Sequence, residues 1–245
     1  MDLGLKDKVA IVTGAGGGGI GTTLCSRLAR EGAWVVANDI DRSWANKVAE
    51  ELRSRGAKAV PTYADVTKLG QCQEMVQKAL AEFGRVDILV TIPAYMEIKM
   101  FVHYTPEACH KQVDVTFWGV VNAVRAVLEP MTERRKGSIV FMGSDSAKMA
   151  PAMETMYASA KAAIMTFASS LSKEVGPYGI RVNVVNAALV RTPSHGPGME
   201  EAFAANYPLG RLADSEEVVE GIVFLASDRA SFITGQTLSV NGGRL

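Results

Sequence analysis

Val9-Ala10-Ile11-Val12-Thr13-Gly14-Ala15-Gly16-Gly17-Gly18-Gly19-Ile20-Gly21 is the stretch on which the fold turns. Its first five residues are apolar or β-branched with no period-two alternation, which suits a strand covered on both faces in a parallel sheet. The glycines that follow let the backbone turn sharply. A helix opening near Ile20 then offers unpaired N–H groups to an anion such as a pyrophosphate, with Gly14, Gly19, Ile20 and Gly21 in contact with it. A glycine-rich loop alone is weak evidence; a strand before it, a helix after it and an acid ending the next strand strengthen it. That acid is Asp39, eighteen residues beyond Gly21, where a carboxylate accepts hydrogen bonds from adenosine ribose hydroxyls. The same charge repels a 2′-phosphate, and no Arg or Lys stands in the loop, so NAD is favoured over NADP. Arg42 reads as a surface residue. Asp65-Val66 reads as an adenine contact, with a helix cap the competing reading of Asp65.

Outward from this stretch, short β-branched runs alternate with longer amphipathic ones. Strands are expected at Trp34 to Asn38, Ala59 to Tyr63, Asp87 to Thr91, Ser138 to Met142, Arg181 to Val185 and Leu238 to Val240. Helices are expected at Ile20 to Glu31, Ser43 to Arg55, Leu69 to Phe83, Pro106 to Met131, Tyr157 to Val175 and Ser215 to Ala226. Such alternation implies right-handed crossovers and an α/β fold: a single-domain, Rossmann-like, doubly wound parallel sheet of about seven strands with helices on both faces. The least regular stretch, 187–208, holds three prolines and two glycines and is expected to act as a substrate lid.

Composition narrows the function classes. Basic and acidic residues balance at 26 each, so neither nucleic acid nor an anionic membrane surface is an expected partner. With 48% apolar and 21% charged residues, the chain is not a disordered one. No apolar run is long enough to span a bilayer, and the amino terminus does not read as a signal peptide. Cys25, Cys72 and Cys109 lack metal or redox spacing and read as reduced thiols of a cytoplasmic protein. His103 and His110 have no metal partners at useful spacing.

The chemistry is expected around Tyr157-Ala158-Ser159-Ala160-Lys161. Spacing i, i+4 puts a phenol and an ammonium on one helix face. A cation about 4 Å from a phenolate stabilises it by about 4 kcal/mol at an effective dielectric near 20. That would lower a tyrosine pKa of about 10 by up to about three units, giving a base for alcohol oxidation and an acid for carbonyl reduction. Ser144, thirteen residues before Tyr157, ends a strand where ligands meet an open sheet and could bond the reacting oxygen.

Taken together, these motifs resemble the short-chain dehydrogenase/reductase family over nearly the whole chain. Thr13-Gly14 with Gly19-Ile20-Gly21 matches its glycine motif, and Ser144, Tyr157 and Lys161 its catalytic trio. Arg181-Val182-Asn183, Thr192-Pro193, Thr234-Gly235-Gln236 and Asn241-Gly242-Gly243 follow in order. The resemblance implies NAD(P)-linked interconversion of an alcohol and a ketone in a homotetramer or homodimer. It also implies that Tyr157 and Lys161 touch the cofactor, that Lys161 holds the nicotinamide ribose, that Thr192 lies near the carboxamide, and that Ile92 and Val190 border the cofactor.

There are departures. The glycine loop is one residue longer than usual. Thr91-Ile92-Pro93-Ala94 replaces Asn-Asn-Ala-Gly, Thr116 stands where the relay asparagine is expected, and Ala187-Ala188 replaces Pro-Gly. The leading reading is an NAD-dependent alcohol dehydrogenase or ketone reductase. The alternative, supported by the altered motifs, is a nucleotide-binding sensor or assembly subunit with little catalysis. A relative that has lost the nicotinamide is opposed by Lys161, Asp39 and the glycines, and an enoyl-thioester reductase by the tyrosine–lysine spacing. Tyr95, Met96, Met100, Met149, Met153, Met199 and Phe203 fall in segments expected to border the substrate, where thioethers suit a bulky apolar or alicyclic molecule. Ordinary packing is the competing reading for each.

Overall fold

The apolar runs form parallel strands whose order folds back on itself at the glycine loop. The computed structural model describes residues 2–191 and 198–244. In chain order the strands are β1 (Val9–Thr13), β2 (Trp34–Asn38), β3 (Ala59–Thr62), β4 (Ile88–Thr91), β5 (Gly137–Met142), β6 (Ile180–Ala187) and β7 (Thr237–Val240). They make one seven-stranded sheet in the order β3-β2-β1-β4-β5-β6-β7, every neighbouring pair parallel. Because β1 pairs with both β2 and β4, the winding direction reverses there, and a crevice opens beyond the carboxyl ends of β1 and β4.

Helices cover both faces, which is why the strands lack alternation. Ala10 and Val12 of β1 face a core shared with α1 (Ile20–Arg30), α2 (Arg42–Ser54) and α9 (Ser215–Ala226). Val9 and Ile11 face the opposite core, with α3 (Leu69–Phe83), α5 (Gly119–Glu133) and α7 (Thr155–Val175). Full burial of Val9 to Val12 removes about 25 cal/mol per Å² of apolar surface from water, the main term holding the sheet between its helices.

Several elements differ from the sequence expectation. The long helix expected from Pro106 to Met131 is α4 (Pro106–Val113), a π-helical stretch over Asp114–Trp118, and then α5. β6 runs on to Ala187, two residues past the apolar run, because Asn186 and Ala187 pair with Ser239 and Val240 of β7. The irregular stretch contains α8 (Met199–Ala204), and α6 (Ser146–Met149) follows β5 directly. Among the described residues, no helix is long and apolar enough to cross a membrane, and no cluster of His, Cys, Asp or Glu could hold a metal ion.

Candidate active site

The glycine loop is built by close approach. A methyl group on Gly21 would lie 1.9 Å from the Gly14 carbonyl oxygen, so only glycine lets the start of α1 press on the end of β1. Thr22 braces the turn, its hydroxyl donating to the Ala15 carbonyl (2.9 Å) and accepting from the Gly18 N–H (3.2 Å). Gly17, Gly18 and Gly19 face open space, with nothing within 4 Å of where a Cβ would sit, and no side chain caps α1 at Gly19. An uncapped helix N-terminus behind an open glycine cradle suits a phosphate. Asp39, just past β2, accepts the Gly16 N–H on Oδ2 (2.9 Å) and the Asp41 N–H on Oδ1 (3.0 Å).

Other residues expected at the nucleotide have structural partners of their own. Asp65 Oδ1 accepts both the N–H and the hydroxyl of Thr67 (2.9 and 2.8 Å). The residue flanking α3 is Lys68, so the cap reading of Asp65 gives way to a tight turn ahead of that helix. Val66 is buried and its carbonyl accepts from Asn122 (3.0 Å). The Ile92 N–H donates to the Thr13 carbonyl (3.1 Å) and its side chain packs on the core. Pro93 closes on the loop, 3.1 Å from a methyl placed on Gly14. Val190 forms a bridge with Ala213, while Thr192 and the Met199 side chain lie outside the described residues.

At the other end of the crevice, β5 delivers Ser144 and the first turns of α7 carry Tyr157 and Lys161. Lys161 is only 2% exposed, and its Nζ donates to the Met142 carbonyl (2.6 Å), 5.8 Å from the centre of the Tyr157 ring. Burial pulls the ammonium down to a pKa of about 7. Burial also pushes the Tyr157 phenol above its ordinary value; the Ser144 hydroxyl opposes this and the Glu154 charge adds to it. The expected lowering of the tyrosine pKa by Lys161 is therefore not seen in the protein alone. Desolvation outweighs attraction once the cation is bonded to a carbonyl.

Thr116 sits fully buried in the π-helical stretch, with its hydroxyl accepting from the Tyr95 N–H (3.2 Å) and donating to the Tyr95 carbonyl (3.4 Å). Gln112, one turn earlier, accepts from the Glu97 N–H (3.2 Å). These bonds pin residues 95–97 beside the site. The Lys99 N–H and the Tyr104 hydroxyl both donate to the Met153 carbonyl (3.0 and 3.2 Å), joining that segment to the one after Ser144. Met96, Met100, Met149 and Met153 are exposed along these segments, and Phe203 is exposed on α8. Ala150 (φ 46°) and Met153 (φ 71°) hold left-handed conformations that non-glycine residues seldom adopt.

Sequence reasoning missed Asp145, next to Ser144. It is 3% exposed, accepts from Asn241 (3.3 Å) on one oxygen and has no partner on the other, and burial raises its pKa. A cleft of about 410 Å³ lies at the opposite, amino-terminal edge of the sheet and contains none of the predicted site residues.

This geometry has close counterparts. A family model described as "Enoyl-(Acyl carrier protein) reductase" matches residues 14–244. The 3-oxoacyl-[acyl-carrier-protein] reductase FabG of Thermotoga maritima is 34% identical over 242 residues, 98% of each chain. The chain belongs to the short-chain dehydrogenase/reductase family. Within that family of oxidoreductases it is also 33% identical to the 2,3-dihydroxy-2,3-dihydro-p-cumate dehydrogenase of Pseudomonas putida, over 98% of this chain and 95% of that one. The crystal structure of gox2181 superposes with a TM-score of 0.92 at 34% identity, covering 99% of this chain and 97% of that chain. Short-chain dehydrogenase/reductase architecture thus accounts for the parallel sheet, both helical layers and the crevice at β1 and β4.

Proposed function

We propose that this protein is an NAD-dependent oxidoreductase interconverting a secondary alcohol and a ketone. The observation that carries the reading is the convergence of Ser144, Tyr157 and Lys161, from the end of β5 and the first turns of α7, at the rim of the crevice that the glycine loop opens. The residues present support NAD: Gly17 to Gly19 leave open space that would take the pyrophosphate, and Asp39, beside Gly16, would accept from the adenosine ribose. When bound, the nicotinamide supplies the hydride acceptor or donor.

The chain supplies orientation and the proton. Ser144 would hold the substrate oxygen, and Tyr157, which keeps its proton at neutral pH, would donate it to the carbonyl oxygen in the reducing direction and take it back in the oxidising one. Lys161 holds the end of β5 through the Met142 carbonyl and would hold a ribose hydroxyl of the bound cofactor. Two relatives agree in reaction type: one name describes reduction of a 3-oxo group, the other dehydrogenation of a dihydroxy compound. The exposed methionines at 96, 100, 149 and 153 suit a bulky apolar substrate; the lid expected over 187–208 includes residues 192–197, which lie outside the described residues. The whole chain acts as one catalytic domain, working in a cytoplasmic homotetramer or homodimer.

Fluorescence titration with NADH, followed by turnover on a panel of cyclic and open-chain alcohols and ketones, tests the proposal. Binding with turnover supports it. Binding with no turnover across the panel supports the second reading, a nucleotide sensor, which the engagement of the Thr116 hydroxyl by Tyr95 favours.

A further inference from the structure

The glycine loop is open on one side only. A methyl on Gly16 would fall 2.3 Å from Cβ and 2.9 Å from Cγ of Trp44, and 2.9 Å from Oδ2 of Asp39. Its N–H is already donated to that carboxylate. The next three glycines meet nothing within 4 Å. So an indole and a carboxylate pack against the loop at Gly16, while the phosphate cradle beside it stays clear.

Trp44 is in the first turn of α2 and 37% exposed, packed against the loop at Gly16 with the Lys47 ammonium 5.2 Å from the centre of its ring. Arg42, the other cation of that turn, lies 4.8 Å over the Tyr63 ring and not over the loop.

We propose that Trp44 is a specificity-determining residue, walling off the space beside Asp39 so that the crevice admits a dinucleotide with a free ribose 2′-hydroxyl and rejects a 2′-phosphate. The inference rests on the NAD reading above and adds to it. A 2′-phosphate would need volume, a donor and a cation; here the indole fills the volume, Gly16 has its N–H taken, and the nearest charge is negative. Charge alone would make Asp39 the whole determinant. Steric closure predicts that removing Asp39 leaves most of the discrimination in place.

The test is equilibrium binding of NADH and NADPH by nicotinamide fluorescence, repeated with 5′-AMP and 2′,5′-ADP by calorimetry, on wild type, Trp44→Ala, Trp44→Phe and Asp39→Ala. Wild type should prefer the unphosphorylated ligand by about tenfold or more, the scale of an uncompensated like-charge contact. Trp44→Ala should narrow that preference at least about fivefold by strengthening the 2′-phosphorylated ligand, since Lys47 and Arg42 gain access to it. Trp44→Phe, which keeps a ring against Gly16, should preserve the preference, and Asp39→Ala should weaken both dinucleotides by similar factors and so keep most of the wild-type ratio; an Asp39→Ala protein that loses the preference altogether overturns the steric reading. A Trp44→Ala protein that keeps the wild-type ratio overturns the proposal while leaving NAD in place. A wild type that binds neither dinucleotide, or prefers NADPH, overturns the NAD reading itself and the proposal with it.

Discussion

Tyr157 holds its proton because burial opposes a phenolate and the nearest ammonium is bonded elsewhere, to the Met142 carbonyl. Tyr157→Phe removes only the transferable proton. It should lower kcat by about a hundredfold or more, the scale of general acid–base catalysis, while the NADH dissociation constant stays within about twofold of wild type; steady-state kinetics beside fluorescence titration will show whether the two separate. Lys161 makes a second prediction. Its folded pKa of about 7 lies below the ordinary lysine value of about 10.4, so between those values the unfolded chain binds the extra proton. Stability therefore rises with pH across that window and the penalty is complete below it. Lys161→Met abolishes the dependence, so its stability relative to wild type should be greatest near pH 6 and shrink towards pH 10, as read by denaturant titration at each pH.

At the scale of elements, the π-helical stretch and the loop after Ser144 shape the wall beside the site. The π-helical geometry over Asp114–Trp118 buries Thr116 against Tyr95, and the threonine hydroxyl ties down a loop N–H and a carbonyl together. Thr116→Val keeps the shape and loses both bonds. It should cost about 1–3 kcal/mol, the desolvation of unpaired backbone groups, and raise KM more than it lowers kcat, since residues 95–97 lose an anchor. Melting curves and a KM-against-kcat comparison check this. Ala150 ends α6 in a left-handed conformation, which suits glycine. Ala150→Gly should raise stability by about 0.5–1 kcal/mol, the penalty for a side chain in that region less the added freedom of the unfolded chain, a gain that urea unfolding can resolve.

Across the whole molecule, Arg181 joins elements far from the chemistry. From β6 it donates to the Leu225, Ala226, Ser227 and Ile233 carbonyls and to the Ser138 hydroxyl of β5. Arg181→Ala leaves carbonyls at the end of α9 unpaired and should cost about 2–4 kcal/mol, visible as a lowered Tm in calorimetry, with kcat unchanged well below the transition. Much of the architecture was legible in the chain because its causes are local. Burial on both faces writes itself as unalternating apolar runs, the tight strand-to-helix turn requires glycine at Gly14 and Gly21, and the i, i+4 spacing puts Tyr157 and Lys161 on one helix face. The order of motifs likewise placed the chain in its family. The partners of the polar groups were not legible. Trp44 against Gly16, Thr116 on Tyr95, and Asp145 with Asn241, 96 residues away, exist only once the sheet brings distant segments together. Whether Lys161 faces a phenol or a carbonyl, and which of the two charges desolvation suppresses, depends on three-dimensional packing and on the water it excludes, and neither is encoded in the spacing of residues along the chain.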